Sequence, residues 1–184
     1  MHLKSIVASG FKSFAEKTTI NLSEYTNVIV GPNGSGKSNI VDAISWVLGN
    51  QSPGSLRTNK MEDVIFAGTE KLGEKGFAEV YLVFALGDNN NFNSSEVSIG
   101  RKLYRDGTSE YFMNGLTCRL LDIQEFLNDV GIGKQQHIII SQGQITEILN
   151  AKPEDHRITI EEASGILPYK LKKDKALKLS LIHI

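Results

Sequence analysis

The 184 residues hold 20 Lys and Arg against 21 Asp and Glu, a formal net charge of −1, with 40% hydrophobic residues and one cysteine, Cys118. That length can bury an ordinary core as one domain or one lobe of a larger one, and a near-neutral chain can bind nucleic acid only through a local patch. No uncharged run approaches a membrane span, MHLKSIVASGFKSF has no apolar stretch long enough for a signal peptide, and the lone cysteine excludes an intrachain disulfide or a zinc cluster and fits a reducing cytosol.

Along the chain, Leu3, Ile6 and Val7, then Phe11 and Phe14, then Ile20 and Leu22 predict two short strands joined through Gly10. Val28-Ile29-Val30 is a β-branched run suited to a fully buried strand. Beyond a glycine-rich stretch, Ile40, Val41, Ile44, Val47 and Leu48 recur at helical spacing, and Gly49 supplies a stop. Residues 50–76 read as an irregular connector around Leu56-Arg57 and Val64-Ile65-Phe66. Ala78 to Leu86 predicts a long strand with Val80, Leu82, Phe84 and Leu86 on one face, and the polar DNNNFNSS from Asp88 predicts a loop. Two hairpins follow, turned at Asp106-Gly107 between Val97–Tyr104 and Glu110–Met113, and at Asn114-Gly115 before Leu116–Cys118. Leu120, Ile123, Leu127 and Val130 form a helical stripe ended by Gly131, His137–Ser141 reads as another buried strand, and helix dominates from Pro153. The expected architecture is an α/β layer with an antiparallel β subdomain in its middle, and there is no internal repeat.

Gly31-Pro32-Asn33-Gly34-Ser35-Gly36-Lys37-Ser38 matches the phosphate-loop pattern GxxxxGK[ST] in full. Glycines let backbone N–H groups point inward without Cβ clashes, forming a nest for β-phosphate oxygens, and the following helix adds its N-terminal partial positive charge. Lys37 can reach the β- and γ-phosphates, and the Ser38 hydroxyl can ligate Mg²⁺. The competing reading is a Gly-rich turn with a solvated lysine. A predicted buried strand before the loop and an amphipathic helix after it favour the phosphate cradle.

The surroundings narrow the family. Gly10-Phe-Lys-Ser-Phe14 precedes the loop, Gly-Pro-Asn-Gly-Ser-Gly-Lys-Ser-Asn runs into Ile40-Val-Asp-Ala-Ile44, and Trp46-Val-Leu-Gly49 ends the helix. Leu56-Arg57, Lys60-Met-Glu-Asp-Val-Ile-Phe-Ala-Gly68, Ile140-Ser-Gln-Gly-Gln-Ile145 and Glu161-Glu-Ala-Ser-Gly165 follow. In that order and spacing, residues 1 to about 178 closely resemble the N-terminal head segment of a bacterial SMC (structural maintenance of chromosomes) protein.

The resemblance implies a P-loop NTPase fold of ABC-ATPase type: an N-terminal lobe over residues 1–165 and the start of a coiled-coil helix over 166–178. ATP would be held between two heads, each site split between the N-terminal lobe of one and the C-terminal lobe of the other. Lys37 and Ser38 keep the roles above, and Asn39 ends the matched loop. Gln142 matches the Q-loop glutamine, which would coordinate Mg²⁺ with Ser38 and sense the γ-phosphate; a lone glutamine capping a turn is the alternative. Arg57 matches an arginine loop that would contact ATP phosphate or tune ATPase stimulation, against a solvated loop arginine. Lys12 and Ser13 match positions near the nucleotide. Lys60 and Arg119 match basic positions that face double-stranded DNA in relatives, where contacts to phosphate carry no sequence specificity; solvated surface cations are the alternative. Thr58-Asn59 replaces two glycines common in relatives, Leu120-Leu121 stands where another lysine is common, and Pro168 should kink or restart the emerging helix.

Hydrolysis needs a Walker B strand, four apolar residues followed by Asp-Glu. Tyr81-Leu-Val-Phe-Ala-Leu-Gly-Asp88 has the apolar run, but Gly87 breaks the join and Asn89 follows. Glu162-Ala-Ser-Gly165 lacks the leucine and second glycine of an LSGG signature. Both elements are expected on a C-terminal lobe beyond a coiled coil and hinge. Lys170–Lys178, KLKKDKALK, reads as a solvated helix face, with DNA binding as the alternative. Residues 179–184, LSLIHI, leave that pattern and match a translated sequencing-library adapter end, so they are expected to be a non-native tail. The whole protein would be a cytoplasmic, nucleoid-associated homodimer joined by a kleisin subunit and its small partner, with no membrane association. It would compact and segregate chromosomes by ATP-driven head engagement. A related DNA repair ATPase, or a nucleotide-binding fragment without turnover, are the other readings.

Overall fold

The computed structural model describes residues 1–86 and 95–130, together with Ile139, Leu149, Arg157, Ile160, Ile166, Tyr169, Lys173, Ala176 and Leu177. The chain divides into two compact units, Met1–Gln124 and Glu125–Ile184.

In the first unit, six strands form one antiparallel sheet: β1 (His2–Ser9), β2 (Thr18–Asn21), β3 (Phe77–Ala85), β4 (Glu96–Tyr104), β5 (Ser109–Met113) and β6 (Leu116–Cys118), in the order β2-β1-β3-β4-β5-β6. Strict alternation along β3 buries Ala78, Val80, Leu82 and Phe84 on one face. Its two neighbours add Ile6 and Ala8 from β1, and Val97, Ile99 and Leu103 from β4. On the opposite face, Phe77 pairs with Tyr104 at 6.1 Å and Tyr81 with Phe112 at 6.0 Å between ring centroids, and the Tyr81 ring covers Gly100. The hairpin from β5 to β6 turns on Asn114 and Gly115, both at positive φ (51° and 79°), as a two-residue turn matched to strand twist requires. The expected antiparallel β strands are present, and β3 pairs directly with β1, so the N-terminal strands and the two hairpins share one sheet.

Helix α1 (Lys37–Val47) lies on the buried face against β3 and β4, presenting Ile40, Ala43, Trp46 and Val47. Phe11, from the turn after β1, stacks on Trp46 at 5.2 Å. The connector through residues 50–76 contains two short 3-10 turns, Gly54–Leu56 and Met61–Val64, and is sewn to the β1 turn by Lys12 N donating to Val64 O and Phe66 N to Gly10 O. Helix α2 (Leu120–Asp129) follows β6 and buries Ile123, Phe126 and Leu127. In the second unit Arg157, Ile160, Tyr169, Lys173, Ala176 and Leu177 are helical and exposed. The expected loop from Asp88, Gly131, most of His137–Ser141, Pro168 and the tail lie outside the described residues. Among the described residues no helix is long and apolar enough to cross a membrane.

One expectation fails. Val28-Ile29-Val30 forms no strand, and the three side chains are 79%, 44% and 86% exposed. A strand is stable only when a neighbour takes its backbone hydrogen bonds and covers its side chains. None of the six described strands does so for this run.

Arg101 fastens α1 to the sheet. On β4 it is 3% exposed, and its Nη1 donates to Trp46 O and Asn50 O, both at 3.0 Å, at the C-terminal end of α1. The guanidinium also lies between the rings of Trp46 (4.8 Å) and Tyr111 (5.1 Å). Burial lowers its pKa, partly countered by Tyr111. A cation on the last carbonyls of a helix satisfies orphan acceptors and complements the helix dipole. Replacing it by Met keeps the volume but removes the bonds donated to both carbonyls and the cation between the two rings, so R101M should destabilise the chain by about 2–4 kcal/mol in urea titrations followed by circular dichroism.

Candidate functional site

The phosphate-loop sequence forms a tight turn leading straight into α1. Gly34 (φ +83°) and Gly36 (φ +88°) adopt the left-handed backbone that the turn requires, and Gly36 is the N-cap of α1. A Cβ on Gly36 would sit 2.7 Å from Ser13 Oγ, whereas one on Gly34 would meet nothing within 4 Å. Pro32, Asn33, Gly34, Ser35 and Ser38 are exposed, and Gly31, Gly36, Lys37 and Asn39 half-buried. The first turn of α1 contains no acidic residue, so its free N–H groups and partial positive charge face no competing carboxylate there. Lys37 Nζ donates to Gly31 O (2.6 Å) and Pro32 O (2.7 Å), which closes the loop on itself.

A second layer holds this loop from the side. Asn39 and Asp42 lie three residues apart on α1, hence on one face of the helix. The adjacent residues Ser13 and Lys12 dock on them: Asn39 Nδ2 donates to Ser13 Oγ at 2.8 Å, and Lys12 Nζ reaches Asp42 Oδ2 at 2.5 Å. Lys12 also donates to the carbonyl of Leu56. Arg57 follows, its backbone at φ +56° ending a 3-10 turn, and its Nη2 meets the same Asp42 oxygen at 2.5 Å. Asp42 is buried, its side chain 8% exposed, while Lys12 is 11% and Arg57 54% exposed. Three cations (Lys12, Lys37 and Arg57) thus stand against one carboxylate, a local net charge of +2 in a chain whose formal net charge is −1. An exposed, glycine-lined turn with cationic flanks at a helix N-terminus suits a polyanionic ligand of the phosphate type.

Among the predicted positions, the structure brings together Gly31 to Asn39, Lys12, Ser13 and Arg57. Gln142 lies outside the described residues. Lys60 and Arg119 are exposed at the starts of the second 3-10 turn and of α2, their backbone N–H groups held by Asp63 Oδ2 and Asp122 Oδ2 at 2.8 Å each. No described contact joins those two side chains to each other or to the loop. Sequence reasoning missed Asp42, although a lone acid within the apolar face of Ile40, Ala43, Trp46 and Val47 was a readable signal. Gly36→Ala should lower the melting temperature, since it adds a clash with Ser13 to a strained φ. The double variant S13A/G36A should lose less than the sum of the two single changes, because removing Oγ relieves the clash.

Residues 2–150 match the family described as RecF/RecN/SMC N terminal domain. The chromosome partition protein Smc of Mycobacterium leprae (strain TN) is 53% identical over 97% of this chain, a match covering 15% of that protein. A crystal structure of the Smc head domain with an extended coiled coil, bound to the C-terminal domain of ScpA and derived from Pyrococcus furiosus, aligns with a TM-score of 0.87 at 37% identity, over 96% of this chain and 45% of that one. A structure from work on ATP-driven dimerization and DNA stimulated activation of SMC ATPases aligns with a TM-score of 0.80 at 34% identity, over 88% of this chain and 99% of that one. The chain spans about 15% of the length of the curated relatives it matches.

Proposed function

The chain belongs to the RecF/RecN/SMC N-terminal domain family, and on that premise we propose that it is the ATP-binding half of a chromosome-organising SMC ATPase head. The observation that carries this reading is the turn from Gly31 to Ser38, closed by left-handed Gly36 at the N-terminus of α1 and flanked by Lys12, Lys37 and Arg57. Its residues fit ATP. Backbone N–H groups of the loop and of the first turn of α1 would hold the β-phosphate, Lys37 would leave the loop carbonyls for phosphate oxygens, and Arg57 would add a guanidinium. Ser38, with Gln142, would ligate Mg²⁺, which when bound neutralises phosphate charge.

Hydrolysis is assigned to residues of a C-terminal lobe, since Gly87 separates the apolar run that starts at Tyr81 from its acid and Glu162-Ala-Ser-Gly165 lacks the signature leucine and second glycine. The exposed Val28-Ile29-Val30 run supports that division: it is β-branched, apolar and uncovered and forms no strand here, as expected of a segment whose strand partner lies on a second lobe. In the whole protein, two copies would engage through bound ATP, a kleisin subunit and its small partner would join them, and exposed Lys60 and Arg119 would contact DNA phosphates. The setting would be the cytoplasm, at the nucleoid.

The chain alone should bind MgATP weakly at best and without steady turnover, and Lys37→Ala should abolish the binding in a fluorescent-nucleotide titration. Adding the matching C-terminal lobe in trans should produce ATPase activity. Turnover by the chain alone that disappears with Lys37→Ala would refute the assignment of hydrolysis to a second lobe.

A further inference from the structure

We infer that Asp42 is a positioning residue of the nucleotide site, holding Arg57 and Lys12 in place beside the phosphate loop; this rests on the ATP-binding reading above. A carboxylate this buried loses several kcal/mol of hydration, and an apolar residue among Ile40, Ala43, Trp46 and Val47 would fill the position without that loss. The carboxylate instead gathers two cations on one oxygen, Oδ2.

Both cations come from loops, and both stand in left-handed backbone, Lys12 at φ +46° and Arg57 at φ +56°. Left-handed backbone is sterically unfavourable for a residue that carries a Cβ, so two such residues meeting at one atom are held there by their surroundings. Lys12 secures the arrangement twice over. It bridges Asp42 to the carbonyl of Leu56, the residue just before Arg57, and so ties the arginine turn to α1. Arg57 meets Asp42 through Nη2 while 54% of its side chain remains exposed, so the tether leaves much of the fork accessible.

Electrostatics makes the inference decidable by sign. Asp42 lies five residues beyond Lys37 on the helix whose N-terminus forms the cradle, about 7.5 Å along the axis. A spectator carboxylate there would repel phosphate, and its removal would tighten ATP binding. A carboxylate that holds Lys12 and Arg57 in place has the opposite effect, because its removal frees two flexible cations and lets the strained turns relax.

The test is titration of the 184-residue chain with MgATP at fixed ionic strength. Asp42→Asn should weaken binding about tenfold, whereas in a K12A/R57A background the same change should alter it less than about twofold. Unchanged or tighter binding by D42N in the otherwise native chain overturns the inference, as does an equal loss in both backgrounds, which marks a purely structural role. Should D42N unfold because Lys12 is left buried without its partner, K12M/D42N is compared with K12M: weaker binding supports the inference, and equal or tighter binding overturns it. Absence of MgATP binding by the native chain overturns the ATP-binding reading itself and this inference with it.

Discussion

The fold is organised around two neighbouring residues of one turn, Lys12 and Ser13, which dock on two residues of one helix face, Asp42 and Asn39. That docking is short-range and directional, and it does three things together. It orients α1 relative to the strand that precedes the turn, it supports the phosphate loop at Gly36 through Ser13, and it ties the arginine turn to the helix through Lys12. Helix propensity and apolar burial would allow α1 to slide or rotate over a sheet face of Val, Ile and Leu. Hydrogen bonds and ion pairs at fixed points remove that freedom.

The far end of α1 is fixed by equivalent physics. Arg101 donates to carbonyls at the helix C-terminus while its guanidinium is sandwiched between Trp46 and Tyr111. One helix is thus anchored to the turn after β1 near its start and to the centre of the sheet at its end. The loop it presents is exposed, but the helix beneath it is held at both ends, as precise placement of donors around a phosphate requires. Charge is distributed to match: cations gather beside the loop, although the chain as a whole is nearly neutral.

In the apolar Val28-Ile29-Val30 run just before the loop, composition and environment disagree. Three β-branched residues in water are unfavourable by the usual measure of apolar burial, at about 1.5–3 kcal/mol for each side chain left uncovered. Under the function proposed above, a second lobe would cover this run, and nucleotide holding and hydrolysis would fall on different parts of one assembly.

The sequence by itself determined what depends on local pattern: strand alternation in β3, the Asn-Gly hairpin, the 3.6-residue period of α1, and the phosphate loop, whose glycine spacing is set by backbone sterics within eight residues. Positions 12, 13 and 57 were legible as site residues only through resemblance, because nothing local in Lys-Ser or Leu-Arg distinguishes a ligand-facing cation from a solvated one. Tertiary structure alone decided that β1 pairs with β3, so that the N-terminal strands and the hairpins form a single sheet. It also decided that Val28–Val30 lacks the neighbours a strand requires, and that Asp42 and Arg101 are buried charges, Asp42 meeting Arg57 15 residues away and Arg101 meeting Trp46 O 55 residues away. The physical reason is common to all of these. Sheet pairing and ion pairing are contacts between segments distant in sequence, and their partners are chosen by packing, which no local window contains.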